Sequence, residues 1–110
     1  MNQESNARIR ALNDELRVHG RGGTVVITDG IASQGLIFAV QARAAVSNHS
    51  KFDDDNDPYN EHDFGTVQLG TDWIFWKIDY YDRAKQYGSS DPSDPAVTSR
   101  VLTVMLSHEY

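Results

Sequence analysis

The segment Trp73-Ile74-Phe75-Trp76-Lys77-Ile78-Asp79-Tyr80 constrains the fold more than any other part of the chain. Side chains alternate across a strand, so Trp73, Phe75, Lys77 and Asp79 share one face and Ile74, Trp76, Ile78 and Tyr80 the other. The first half is then apolar on both sides. A central strand covered on both faces satisfies that pattern, and so does an edge face buried in a homodimer through Trp73 and Phe75. Thr66-Val67-Gln68-Leu69 precedes it across the turn Gly70-Thr71-Asp72, which predicts a β-hairpin.

The remaining elements are read from periodicity. Ile9, Leu12 and Leu16 recur at helical spacing between Asn6 and Val18, with Arg8, Arg10, Asp14, Glu15 and Arg17 on the other positions. Gly20-Arg21-Gly22-Gly23 ends that helix, and the β-branched run Thr24-Val25-Val26-Ile27-Thr28 predicts a short buried strand. After a turn at Asp29-Gly30, a second helix is expected from about Ser33 to Ser47, with Leu36, Val40, Ala44 and Ile37, Ala45 toward the core and Gln41 and Arg43 outward. Phe52 to Asp63 reads as a loop. Asp94-Pro95 predicts a helix start, and Val97, Val101, Leu102, Met105 and Leu106 place a last helix from Pro95 to about His108. The expectation is one α+β domain over residues 1–110: a small antiparallel or mixed sheet of about three strands with three helices, in the order α-β-α-β-β-α.

Charge narrows the function classes. Residues 1–50 carry five bases and four acids, residues 51–110 five bases and twelve acids, which gives the net −6 of the chain. An acidic half repels nucleic acid and anionic membrane and attracts basic proteins or cations, so a basic protein or nucleoprotein complex is the expected partner and direct nucleic-acid binding is not. The chain has no cysteine, which removes disulfides, thiolate metal sites and thiol nucleophiles. Neither a signal-like N-terminus nor a run of roughly 18 apolar residues is visible, and a cytoplasmic protein without membrane contact is expected.

The densest polar feature is Asp53-Asp54-Asp55-Asn56-Asp57-Pro58-Tyr59-Asn60-Glu61-His62-Asp63, six acids in eleven residues without a Lys or Arg. Crowded carboxylates raise each other's pKa, a folding cost unless a cation offsets it. Three readings follow: a solvated turn-rich loop, a cation site, or a surface that offers carboxylates to Arg and Lys that would otherwise hold phosphates. An EF-hand is excluded, because Pro58 and Phe64 stand where its glycine and bidentate glutamate belong. Glu61-His62-Asp63 invites a general-base or metal-ligand reading, yet neighbours on an extended segment point apart, and His19, His49 and His108 lie on other segments. Ser33, Ser89 and Ser90 lack a nucleophile context, and the glycine run precedes a strand, whereas phosphate loops follow one. In Asp79-Tyr80-Tyr81-Asp82, alternation sends Tyr80 to the core and leaves Tyr81 and Asp82 for the surface.

The segments Asp55 to Gly65, Phe75 to Asp82, Tyr87 to Pro95 and Arg100 to Leu106 together resemble a bacterial family of domains of unknown function, number 3768. The resemblance runs from Ile9-Arg10-Ala11-Leu12-Asn13-Asp14 to Glu109-Tyr110, and family members share the Asn-Asp-Pro and Glu-His-Asp-Phe-Gly residues. It implies a compact bacterial protein common among genes of mobile elements, and no activity. The expected function is a non-enzymatic inhibitor or regulator of anti-CRISPR or anti-restriction type, without cofactor. Its partner surface would be Asp53, Asp54, Asp55, Asp57, Glu61, Asp63, Tyr81 and Asp82. The alternative is a metal-dependent hydrolase or nuclease using Asp57, Glu61, His62 and Asp63.

Overall fold

A computed structural model describes residues 3–110. Helix α1 spans Gln3–His19 and ends at Gly20, whose positive φ of 70° turns the chain so that the Arg21 amide reaches back to the Glu15 carbonyl at 3.3 Å. Strand β1, Thr24–Ile27, follows, and then a short helical turn α2, Asp29–Ala32, capped by the Thr28 hydroxyl, stands where a simple turn was expected. Helix α3 covers Leu36–Ser47, entered through Gly35 at φ 105°. Strands β2, Phe64–Leu69, and β3, Asp72–Tyr81, form the expected hairpin, and Gly70 adopts the left-handed conformation its turn requires.

The chain closes with strand β4, Ser99–Leu106, and a single 3-10 turn, Ser107–Glu109. The last helix expected from Pro95 to His108 is therefore a strand. Asp94 does act as a cap, its carboxylate accepting from the Ala96 amide at 2.9 Å, but it closes a turn instead of opening a helix. Val101 and Leu102 fit a helical stripe equally well, yet Arg100, Leu102, Val104 and Leu106 alternate onto the buried face, with β-branched Val101 and Thr103 between the first three.

The sheet is mixed and four-stranded, in the order β1-β4-β3-β2, with β1 parallel to β4 and the other pairs antiparallel. The fold is α+β, with four strands where about three were expected. Of the two arrangements its composition allowed, strand β3 takes the inner position, paired on both sides. Its Ile74, Trp76 and Ile78 enter one core with Leu16, Ile31, Ala42, Val46, Leu102, Val104 and Leu106. Across the sheet, Phe75 packs on Phe64 and Tyr110 with ring centroids 5.9 and 5.7 Å away, while Trp73 stays half exposed.

Helix α3 presents a different strip to the core than its periodicity suggested. Ala42 and Val46 are buried, with Phe38 and Ala39 packed beside them, whereas Leu36, Ile37 and Val40 are 80%, 75% and 60% exposed. A helix apolar on nearly every side gives periodicity no means of choosing its inward strip.

Candidate functional site

The acidic loop lies against α1 and is fastened residue by residue. A polar stripe on α1, Asn6, Arg10 and Asn13, sits at i, i+4 and i+7 and so shares one helix face. Its side chains donate to three successive loop carbonyls: Asn6 to Tyr59 (3.2 Å), Arg10 to Asn60 (3.0 Å) and Asn13 to Glu61 (3.0 Å). Arg10 and Arg17, expected on the outward positions, thus reach inward, and Arg17 is buried. Asn60 and His62 hold φ of 56° and 55°, which turns the loop so that its carbonyls meet the helix.

Inside the loop the acids divide. Asp57 is buried, and its carboxylate accepts from the amides of Glu61 (3.0 Å) and His62 (3.2 Å) and lies 3.6 Å from His62 Nε2. Asp53 accepts from the amides of Asp55 and Asn56, each at 3.0 Å, closing a compact turn while remaining exposed. Asp54 and Asp55 are exposed, and among the described residues no cation pairs with them. Asp63 is half-buried at the head of β2. Burial first, then the neighbouring charges of Glu61, Asp57 and Asp79, holds its carboxyl above the ordinary value, against a backbone hydrogen bond that lowers it.

His62 ties the loop to α1 a second time, with Nδ1 2.8 Å from Asp14 Oδ1. Its ring stacks on Phe52 at 3.7 Å between centroids, and Phe52 stacks on His49 at 4.7 Å. Trp76 Nε1 donates to His49 Nδ1 at 3.0 Å, which leaves Nε2 to donate to the Lys51 carbonyl at 3.1 Å and fixes the tautomer. Burial holds the His49 pKa below its ordinary value; the Lys51 carbonyl opposes this, and Arg17 and His62 add to it. Gly65 makes this contact possible, because a β-carbon there would collide with His49 and Trp76. Arg17 Nη1 donates to the carbonyls of Val46, Ser47 and His49 (3.2, 3.2 and 2.7 Å), closing the C-terminal end of α3, and the guanidinium lies 5.3 Å from the Phe52 centroid.

Deeper still, Asn13 Nδ2 donates to the Tyr80 hydroxyl (2.8 Å), which donates to Glu61 Oε1 (2.8 Å). Arg100 Nε donates to Asn13 Oδ1 (2.6 Å), and its guanidinium lies 5.0 Å from the Tyr80 ring centroid. Burial, with Glu61 accepting from the hydroxyl, pushes the Tyr80 phenol far above its usual range, against the lowering effect of Asn13, so it stays protonated. Glu61 is thereby engaged internally.

The four residues of the metal reading do not converge. Asp57 is committed to two amides and His62, Glu61 turns to Tyr80, and His62 turns to Asp14. Among the described residues, no group of three or more histidines or carboxylates is placed to hold a metal ion. Tyr81 is half-buried, and Asp82 accepts from the Gln86 amide at 3.0 Å to form the turn after β3. Among the described residues, no hydrogen bond or ion pair joins either to the loop acids. The surface that remains is Asp53, Asp54 and Asp55, with Asp63 recessed. Sequence reasoning missed Asn13, Arg17 and Arg100; for Asn13 the polar stripe at i, i+4 and i+7 on α1 was the available signal.

Fold and site together describe an α+β protein whose mixed sheet is covered by helices on one face and whose acidic loop is locked to its first helix. The chain belongs to the family described as proteins of unknown function, DUF3768, which it matches over residues 27–109. The matched stretch takes in the whole loop, the hairpin and β4, whereas the α1 stripe lies before it. No curated protein and no solved structure matches the chain. None of the helices among the described residues is long and apolar enough to cross a membrane.

Proposed function

We propose that this is a cytoplasmic, non-enzymatic inhibitor or regulatory protein belonging to a bacterial mobile element, of anti-CRISPR or anti-restriction type, which binds a basic nucleic-acid-handling protein. One observation carries the reading. Asp53, Asp54 and Asp55 stand exposed and side by side, with no cation paired to them among the described residues, on a loop that α1, Asp57 and His62 hold in place. Like charges held together on a fixed backbone keep their repulsion until an opposite surface meets them, and a preordered loop loses little entropy when it binds. Duplex DNA carries one charge per roughly 1.7 Å of axis, a density that three adjacent carboxylates approach locally. Asp57 and Glu61 support the display from within and do not face the partner.

The test is affinity capture of the tagged chain from a bacterial host at low and high salt, beside an Asp54→Asn/Asp55→Asn variant. Among the described residues, no hydrogen bond or ion pair of the fold uses the carboxylates of these two acids. A nuclease or nucleoprotein complex should be retained at low salt, be released at high salt, and bind the variant roughly ten-fold more weakly, about 1.4 kcal/mol. Equal retention by parent and variant would reject the proposal.

A further inference from the structure

A cavity of about 270 Å³ opens at the end of the sheet where β1 and β4 begin and β3 ends. Arg83, Lys85 and Arg100 line it, three of the five bases in residues 51–110, and no carboxylate lines it. In a chain of net charge −6 this is a local reversal of sign. From the signs of these charges and the donors around them, we infer that the cavity is a binding site for a phosphate dianion, either free or carried as a small monoester.

Three features point the same way. Arg83 and Lys85 make no ion pair among the described residues, although twelve acids share their half of the chain. Lys85 is held at φ 59° by its amide bonding to the Asp82 carbonyl (3.0 Å), while the Asp82 carboxylate takes the Gln86 amide, so the turn keeps a non-glycine residue in a sparsely populated conformation. Arg100 is 2% exposed, and among the described residues no carboxylate lies within ion-pair distance; its acceptors are neutral, Asn13 Oδ1 and the Pro92 carbonyl. The charge of Glu61, held on the Tyr80 hydroxyl, offsets part of the cost of burying that guanidinium, and an anion in the adjoining cavity would offset more of it.

Donors without charge complete the lining. Ser99 and Thr24 bring hydroxyls on the sheet face opposite the Arg100 side chain, and Gly22-Gly23 brings backbone at the start of β1. Gly23 has no room for a side chain, because a β-carbon would run into the Arg100 carbonyl, so the glycine run presses directly against the strand that carries the guanidinium. Guanidinium forks and hydroxyls suit the several acceptor oxygens of a phosphate better than a halide. The size of the cavity and the acids elsewhere on the chain select a small anion over a polynucleotide.

The experiment is calorimetric titration of the full chain at pH 8 and constant ionic strength, with sodium phosphate in one arm and a nucleoside 5′-monophosphate in another, chloride being the balancing anion. Saturable binding is expected, with affinity at least ten-fold lower in an Arg83→Gln/Lys85→Gln variant whose exposed side chains leave the fold intact. Tighter binding of the nucleotide would identify a monoester as the ligand, and equal or tighter binding of phosphate the free ion. Absence of saturable binding in both arms, or an unchanged affinity in the double variant with native circular dichroism, would overturn the inference. The outcome is independent of the loop acids, since Asp54→Asn/Asp55→Asn should bind phosphate like the parent.

Discussion

Asp63 concentrates the electrostatic problem of the acidic loop in a single side chain. Its folded pKa lies above the ordinary 3.8 because burial and then Glu61, Asp57 and Asp79 oppose its ionised form. A carboxyl raised in the folded state adds stability at low pH, and that contribution disappears as pH rises through the folded pKa. Asp63→Asn removes the charge, so the variant should resist urea better than the parent at pH 7, and its advantage should shrink as pH falls toward 4 and the parent carboxyl takes up its proton. Urea midpoints at pH 7, 5 and 4 check this; an advantage that persists unchanged at pH 4 would contradict it. The crowding of six acids was legible in the sequence, and so was the turn chemistry of Asp-Pro. Which acids the fold consumes was not, because that depends on Asn6, Arg10 and Asn13 reaching carbonyls about fifty positions downstream.

Periodicity identified α1, β1 and the hairpin, where each segment fits one template only. It misread β4, because Val97, Val101, Leu102, Met105 and Leu106 satisfy a helical stripe while Arg100, Leu102, Val104 and Leu106 satisfy a strand. The tie is broken by neighbours: β1 and β3 each need a partner, and β4 alone pairs with both. Helix α3 was found, but its rotation was not. Because Leu36 and Ile37 lie mostly in solvent, replacing both by lysine should change stability by no more than about 0.5 kcal/mol each, the range of ordinary surface substitutions. Core positions would instead lose about 2 kcal/mol or more apiece. Denaturant unfolding of Leu36→Lys/Ile37→Lys distinguishes the two orientations directly.

All four strands contribute to one sheet, and α1, α2 and α3 feed residues into the same buried cluster from one side. No strand has a core of its own. Unfolding should therefore be a single transition, with tryptophan fluorescence, which reports β3 through Trp73 and Trp76, coinciding with far-ultraviolet circular dichroism. Separate midpoints would mean that the hairpin or α1 melts alone. The parallel pairing of β1 with β4 has a kinetic corollary. Val25 is made well before Leu102, its partner, so β1 emerges from the ribosome before its place in the sheet exists. Until then an unpaired β-branched strand stands open to aggregation, and closing so distant a contact should make the final docking of β1 the slow step of folding.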